Sequence, residues 1–124
     1  MDDETQNGIS KIIDLHKIQL AIRQNYEKGE LYKNLELYQR LIMLKNKLNN
    51  VGGALRALCD YDKLCFQLQK RDEALKVHQE IIKLLNQTKS RLLKEEVFNE
   101  LNKFYQEIGE NDLLKDLNQN LKAN

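Results

Sequence analysis

Apolar residues recur along this chain at intervals of three and four, which is the spacing of one face of an α-helix. Near the start the pattern runs through Ile12, Leu15, Ile18 and Ile22, and it continues in the same way to Leu121. No stretch alternates with the period of two that a half-buried strand requires. The pattern therefore predicts an all-α chain. The six predicted helices cover approximately residues 9–28, 30–49, 53–69, 72–86, 90–108 and 111–122.

The residues between these segments predict where the helices begin and end. The chain has five glycines and no proline. Gly29 and Gly109 can adopt the left-handed conformation that ends a helix. Asp72, Ser90 and Asn111 are candidate N-caps for the helices that follow them. Residues 1–8 are polar and acidic, and we expect a tail there, followed by a single domain over residues 9–124.

The hydrophobic pattern repeats when the chain is shifted against itself by about 40 residues. Gly29 and Gly109 then fall into one column, and Leu41, Ile81 and Leu121 fall into another. A period of 20–50 residues built from helix pairs is typical of a stacked α-solenoid. The predicted repeat units are approximately residues 9–50, 51–89 and 90–124. A six-helix bundle without repeats is the alternative architecture.

The middle unit resembles a tetratricopeptide repeat. The segment Asp72-Glu73-Ala74-Leu75 places a small alanine at the expected helix–helix crossing, and Gly29-Glu30 and Gly109-Glu110 look like the turn of that family. The resemblance covers residues 12–122 and is closest to the variety with longer repeats. It implies a right-handed α-solenoid of three antiparallel helix pairs, in which the first helices line a concave groove. Family members of this kind act as adaptors in protein–protein interactions.

Composition and charge narrow the expected partners and compartment. The chain of 124 residues has 20 Lys and Arg against 19 Asp and Glu, which gives a formal net charge of +1. Proteins that bind nucleic acid or an anionic membrane usually have a basic excess, so we expect neither as a partner. The longest apolar run is Leu41–Leu44 and the start is acidic, so neither a signal peptide nor a membrane span is expected. We therefore expect a cytoplasmic protein, with the nucleus as a second possibility.

The residues with chemical potential do not form a recognisable catalytic or metal-binding pattern. His16 and His78 lie in different predicted units, and neither has a metal-ligating side chain three or four residues further on. We therefore predict no enzyme activity, no metal and no cofactor, and we expect His78 to pack between helices. Cys59 and Cys65 are six residues apart on one helix and are predicted to be reduced.

The tetratricopeptide resemblance implies a partner-binding groove on the first helix of each unit, and the repeat register assigns residues to it. Its cations, aromatic rings and amides suit a peptide or helix of a partner protein, and an acidic segment in particular. An ordinary solvated helix face is the competing interpretation. The predicted groove residues are His16, Gln19, Arg23 and Tyr26 in the first unit; Arg56, Cys59, Lys63, Phe66 and Gln67 in the second; and Glu96, Asn99, Lys103, Gln106 and Glu107 in the third.

The last predicted helix suggests a second kind of interface. Stacked repeats need a polar cap, whereas this helix carries Leu113, Leu114, Leu117 and Leu121 with little sequence after it. We expect this edge to support a homodimer or a larger assembly, which would make the chain a permanently docked structural subunit. Salt separates the two hypotheses, because a charged groove weakens with ionic strength and an apolar edge does not.

Overall fold

The computed structural model describes the backbone of residues 3–121 and the side chains of residues 8–120. Within this part of the chain every regular element is a helix, which confirms the all-α prediction. The elements are α1 (Asp3–Lys28), a short 3-10 helix (Leu31–Lys33), α2 (Asn34–Lys47), α3 (Val51–Gln67), α4 (Arg71–Gln87), α5 (Arg91–Ile108) and α6 (Asn111–Leu121). None of these helices is long and apolar enough to cross a membrane. The solenoid arrangement stays a prediction.

Two helices begin earlier than the sequence predicts. Helix α1 begins at Asp3, so residues 3–8 are helical where a tail is expected. Helix α3 begins at Val51 because Asn50 is its N-cap, with Asn50 Oδ1 accepting a hydrogen bond of 2.9 Å from the Gly53 amide.

The same backbone turn ends α1, α3 and α5. The left-handed conformation falls at Gly29 (φ 73°), Gln69 (φ 59°) and Gly109 (φ 72°), which are the first residue after α1, the second after α3 and the first after α5. In each turn the next amide donates to a carbonyl five residues earlier, at 2.8, 2.7 and 3.0 Å. This bond satisfies a carbonyl that the end of a helix would otherwise leave unpaired. The two glycines behave as the sequence predicts, and Gln69 adopts the same conformation although it carries a side chain.

The predicted N-caps differ in outcome. Ser90 caps α5, since its hydroxyl accepts a hydrogen bond of 3.2 Å from the Leu93 amide. Asp72 and Asn111 are not caps, because the N-cap residue of α4 is Lys70, which makes no side-chain cap hydrogen bond, and α6 already includes Asn111. The left-handed turn restarts the next helix within two residues, so both polar residues fall inside the first turn.

The backbone contacts divide the chain into two units, residues 1–57 and 58–124, with the boundary inside α3. In the first unit α1 packs on α2. In the second unit α4 and α5 both pack on α6. The buried hydrophobic residues of the first unit are Ile18, Ile22, Tyr38, Leu41, Ala54, Leu55 and Ala57. Those of the second unit include Leu58, Tyr61, Leu64, Val77, Ile81, Leu85, Val97, Leu101 and Tyr105.

The predicted apolar edge on the last helix is corrected by the packing of the second unit. Leu113 and Leu117 are buried, with 6% and 0% of their surface exposed, and Leu114 is half-buried. The reason is that α4 and α5 cover the apolar face of α6. The side chain of Leu121 lies outside the described residues. Leu113 and Leu117 are therefore not available to an open interface.

Candidate functional site

Four large apolar side chains lie exposed on one face of α1. Ile9, Ile12, Ile13 and Leu20 are 44%, 49%, 48% and 53% exposed. Their spacing of three, four and eleven residues from Ile9 places them on one side of a helix with 3.6 residues per turn. We call this set the α1 stripe. It lies opposite the face through which α1 is buried in the first unit.

The α1 stripe shows that the apolar periodicity of α1 does not mark buried residues along its whole length. The periodicity through Ile12, Leu15, Ile18 and Ile22 has the helical spacing, but only Ile18 and Ile22 are buried. Helix α1 has 26 residues and α2 has 14, so α2 is too short to cover α1 along its whole length. A helical period therefore identified the helix without showing how far along its length a neighbouring helix covers it.

The predicted groove residues that lie within residues 1–57 of the structure are exposed. His16 lies within the α1 stripe, between Ile12 and Leu20 on the same side of the helix, and Gln19, Arg23 and Arg56 are also exposed. Tyr26 is 39% exposed, and its hydroxyl lies 3.1 Å from the hydroxyl of Tyr38. The surroundings of His16 are thus more apolar than the sequence analysis expected.

The predicted groove residues that lie within residues 58–124, which come from the second and third predicted repeats, differ in their exposure. Cys59 is fully buried and is removed from the groove, since it lies on the core side of α3. Phe66 and Lys63 are half-buried. The remaining predicted residues, all exposed, are Gln67, Glu96, Asn99, Lys103, Gln106 and Glu107.

A surface hollow brings part of this predicted set together. It has a volume of about 360 Å³ and lies over α3 and α5. We call it the α3–α5 hollow; its lining residues are Lys63, Glu100, Lys103, Phe104 and Glu107. The ring of Phe66 packs beside it, with its centroid 5.9 Å from that of Phe104. Glu100 and Phe104 were missed by the sequence analysis, because only the packing of α5 on α3 brings them to Lys63.

Lys63 already has a partner in this hollow. Its ammonium Nζ lies 2.7 Å from Glu100 Oε1 and 5.8 Å from the centre of the Phe104 ring. Burial alone would lower the pKa of Lys63, but the hydrogen bond and charge of Glu100 raise it above the ordinary value. Two cations and two carboxylates line the hollow, so its charge is balanced. This arrangement offers no excess of positive charge to an acidic segment.

Beneath these aromatic rings a chain of hydrogen bonds crosses the second unit. Tyr105 Oη lies 2.8 Å from Asp62 Oδ2 and 2.8 Å from His78 Nδ1. His78 Nε2 lies 2.7 Å from Asp116 Oδ2. Asp62, His78 and Tyr105 are fully buried, whereas the side chain of Asp116 is 35% exposed. We call these four residues the buried chain.

Burial favours the neutral forms of Asp62 and Tyr105 within the buried chain. Burial raises the pKa of Asp62 to about 7, although the Tyr105 hydrogen bond and the charge of Lys63 oppose the rise. Burial also raises the pKa of Tyr105, and Asp62 adds to this effect. The second carboxyl oxygen of the aspartate, Asp62 Oδ1, is buried without a hydrogen-bond partner. An ionised carboxylate would be poorly stabilised at this position.

The sequence predicted the position of His78 in the buried chain but not its polar partners. His78 is buried between helices, as predicted. Its polar partners come from α3, α5 and α6, and no short motif in the sequence connects positions on separate helices. Among residues 8–120, no group of three or more His, Cys, Asp and Glu side chains is arranged to hold a metal ion. Both cysteines are buried and free.

Comparisons with protein-family models, with curated proteins and with solved structures give no match to this chain. The tetratricopeptide resemblance therefore rests on the sequence features alone and stays a prediction. What the chain does is argued below from its surfaces.

Proposed function

We propose that this chain is a non-catalytic interaction module, an adaptor or scaffold of the tetratricopeptide type, that binds a peptide or helix of a partner protein. The observation that carries the proposal is the α1 stripe. Contiguous exposed apolar side chains on a largely polar surface are typical of a binding site. Covering the exposed halves of these four side chains contributes about 3–6 kcal/mol. Association itself costs several kcal/mol, so further contacts must add to this contribution.

The chemistry of the surface favours an amphipathic helix as the bound segment. The spacing within the α1 stripe is that of one helix face, which packs well against the apolar face of another helix. The charge-balanced α3–α5 hollow favours an apolar anchor over an acidic one. The turn at Gly29, Gln69 and Gly109 fits the solenoid part of the proposal, because these positions are 40 residues apart, although Asn49 (φ 58°) ends α2 with the same turn.

The alternative of a structural subunit docked through its last helix has lost its main support. Leu113 and Leu117 are buried within the second unit and are not available to a partner. A permanent apolar contact through the α1 stripe would leave the same module function, with a longer-lived complex.

The test is quantitative capture of partners from cell extract with variants of the full chain. Ile12→Gln/Ile13→Gln removes apolar surface from the α1 stripe without adding charge. Met43→Gln/Leu92→Gln is the matched control, because these two side chains are 57% and 66% exposed and lie outside the stripe. We expect the first variant to lose a protein that wild type and control both retain, at low and at high salt.

Two results would contradict the proposal. Capture of the same proteins by all three chains would show that the α1 stripe is not the binding surface. Loss of the partner at high salt from wild type would show that charge, rather than apolar contact, dominates the binding.

A further inference from the structure

The buried chain has too few hydrogens when its groups have their ordinary charges. Its three hydrogen bonds connect Asp62, Tyr105, His78 and Asp116 in a row, and each bond needs one hydrogen. With both aspartates ionised and the imidazole neutral, the tyrosine hydroxyl and the imidazole supply one hydrogen each. Two hydrogens cannot complete three bonds. One bond would then place two acceptors 2.7–2.8 Å apart in the interior of the protein.

We propose that the folded second unit binds one additional proton within the buried chain, on the carboxyl of Asp62, so that the contribution of Asp62 to the stability of this unit falls with rising pH. The inference is independent of the proposed binding function. It follows from the three distances, from the burial of three of the four groups and from the number of hydrogens that each group carries.

Burial determines where the additional proton lies. With the proton on Asp62, its carboxyl donates to Tyr105, Tyr105 donates to His78 Nδ1, and His78 Nε2 donates to the Asp116 carboxylate. The three fully buried groups are then neutral, and the one remaining charge sits on Asp116, which reaches solvent. Moving the proton to the imidazole would create two opposite charges in the interior, which is the more costly arrangement.

Titratable groups from every helix of the second unit lie near this proton. From α3 they are Lys63, whose charge favours release, and Cys59, whose thiol is kept protonated by a pKa raised through burial. From α4 and α5 they are His78 and Tyr105. Glu110 follows α5, and its charge favours retention of the proton. From α6 it is Asp116, which adds to the raised pKa of Tyr105.

The sign of the pH dependence follows from linkage. In the unfolded chain Asp62 titrates near its ordinary pKa of 3.8, whereas in the folded unit its pKa is about 7. Between these values the Asp62 carboxyl holds more protons in the folded state than in the unfolded state, so the contribution of Asp62 to stability falls as the pH rises. The stabilising contribution is complete below about pH 4 and is lost as the pH rises to about 7. One proton corresponds to at most a tenfold increase in the unfolding equilibrium constant per pH unit.

The experiment is urea unfolding of the full chain at a series of pH values from 5 to 8, in a His16→Gln background that removes the exposed imidazole. Asp62→Asn is the main variant, since its amide can donate to Tyr105 as the protonated carboxyl does. We expect the unfolding constant of the parent to rise by up to tenfold per pH unit relative to that of Asp62→Asn between pH 5 and 7. Parallel pH profiles for the two chains would overturn the proposal.

A second variant keeps the proposal testable if Asp62→Asn fails to fold. Asp116→Asn lies at the half-exposed end and supplies the missing hydrogen itself, because its amide can donate to His78 Nε2. All three bonds can then form with Asp62 ionised. The unfolding constant of Asp116→Asn should therefore rise less with pH than that of the parent. If the unfolding constant of Asp116→Asn varied with pH in parallel with that of the parent, the buried chain would not hold the additional proton.

Discussion

The side chain of Tyr105 makes both hydrogen bonds and aromatic ring contacts within the second unit. Its hydroxyl contacts both Asp62 and His78, and its ring lies 6.3 Å from Phe66 and 5.9 Å from Phe104. The hydroxyl therefore serves two buried polar groups, while the ring belongs to the aromatic cluster beside the α3–α5 hollow. Removing the oxygen separates these two roles, because phenylalanine keeps the ring.

We expect Tyr105→Phe to lower the free energy of unfolding by about 1–3 kcal/mol, because it leaves two buried polar groups without their shared partner. Tyr32→Phe is the matched control, since Tyr32 is 64% exposed and its loss of a hydroxyl should change stability by less than about 0.5 kcal/mol. Urea unfolding at pH 6 measures both variants. Equal stabilities for the two would show that the Tyr105 hydroxyl does not stabilise the fold.

At the scale of single residues the sequence predicted burial better than it predicted partners. Asn34 shares a repeat column with Ala74, and both are fully buried. The sequence did not show that the Asn34 amide donates to the Ile22 carbonyl at 3.1 Å and accepts from Asn25 at 2.8 Å. Periodicity reports which side of a helix a residue occupies, whereas its partner depends on how a second helix is rotated and shifted against the first.

At the scale of elements the left-handed turn after α3 is the clearest departure from local preference. Gly29 and Gly109 occupy their positions without steric cost, whereas Gln69 has φ 59° with a side chain. A left-handed conformation costs an ordinary residue about 1–2 kcal/mol relative to glycine. The hydrogen bond of 2.7 Å from Lys70 to Cys65 helps to hold this turn.

The same substitution should therefore have opposite effects at two glutamines. We expect Gln69→Gly to raise the free energy of unfolding by up to about 1 kcal/mol, because it relieves the left-handed strain. We expect Gln79→Gly, at an exposed position within α4, to lower it by about 1 kcal/mol. Thermal and urea unfolding compare the two variants. A loss of stability at both sites would show that Gln69 makes contacts that outweigh the strain.

The positions of all six helices could be predicted from the sequence because periodicity, glycines and capping residues act within a few neighbouring residues. The functional surfaces depend on which helix covers which face, and there the predictions were mixed. Ile12 is exposed because α2 is short, and Leu117 is buried because α4 and α5 cover α6. Glu100 compensates Lys63 across two helices. Each of these outcomes depends on packing between helices, which a single sequence does not show.

At the scale of the whole molecule the two cysteines report on opening of the second unit. Cys59 and Cys65 are fully buried, and burial raises the pKa of both thiols, that of Cys65 to about 11. A thiol reacts as its thiolate and only when a reagent reaches it. Both conditions are unfavourable in the folded protein, so modification requires local or global unfolding.

We expect an alkylating reagent at pH 8 to modify the native chain much more slowly than a Ser10→Cys variant, in which the added thiol lies at an exposed position of α1. In denaturing urea all thiols should react at similar rates. Mass spectrometry after timed quenching follows each site. If Cys59 and Cys65 reacted as fast as the added thiol in native conditions, the interior of the second unit would be open to solvent.

The buried chain also restricts how this protein can change over evolutionary time. Replacing any one of Asp62, Tyr105, His78 or Asp116 with an apolar residue leaves a buried neighbour without its hydrogen-bond partner. Apolar residues of similar shape at all four positions would leave no polar group unpaired. The route from one interior to the other passes through intermediates less stable than either end. We therefore expect natural variants of this chain to keep the four residues together or to replace them together.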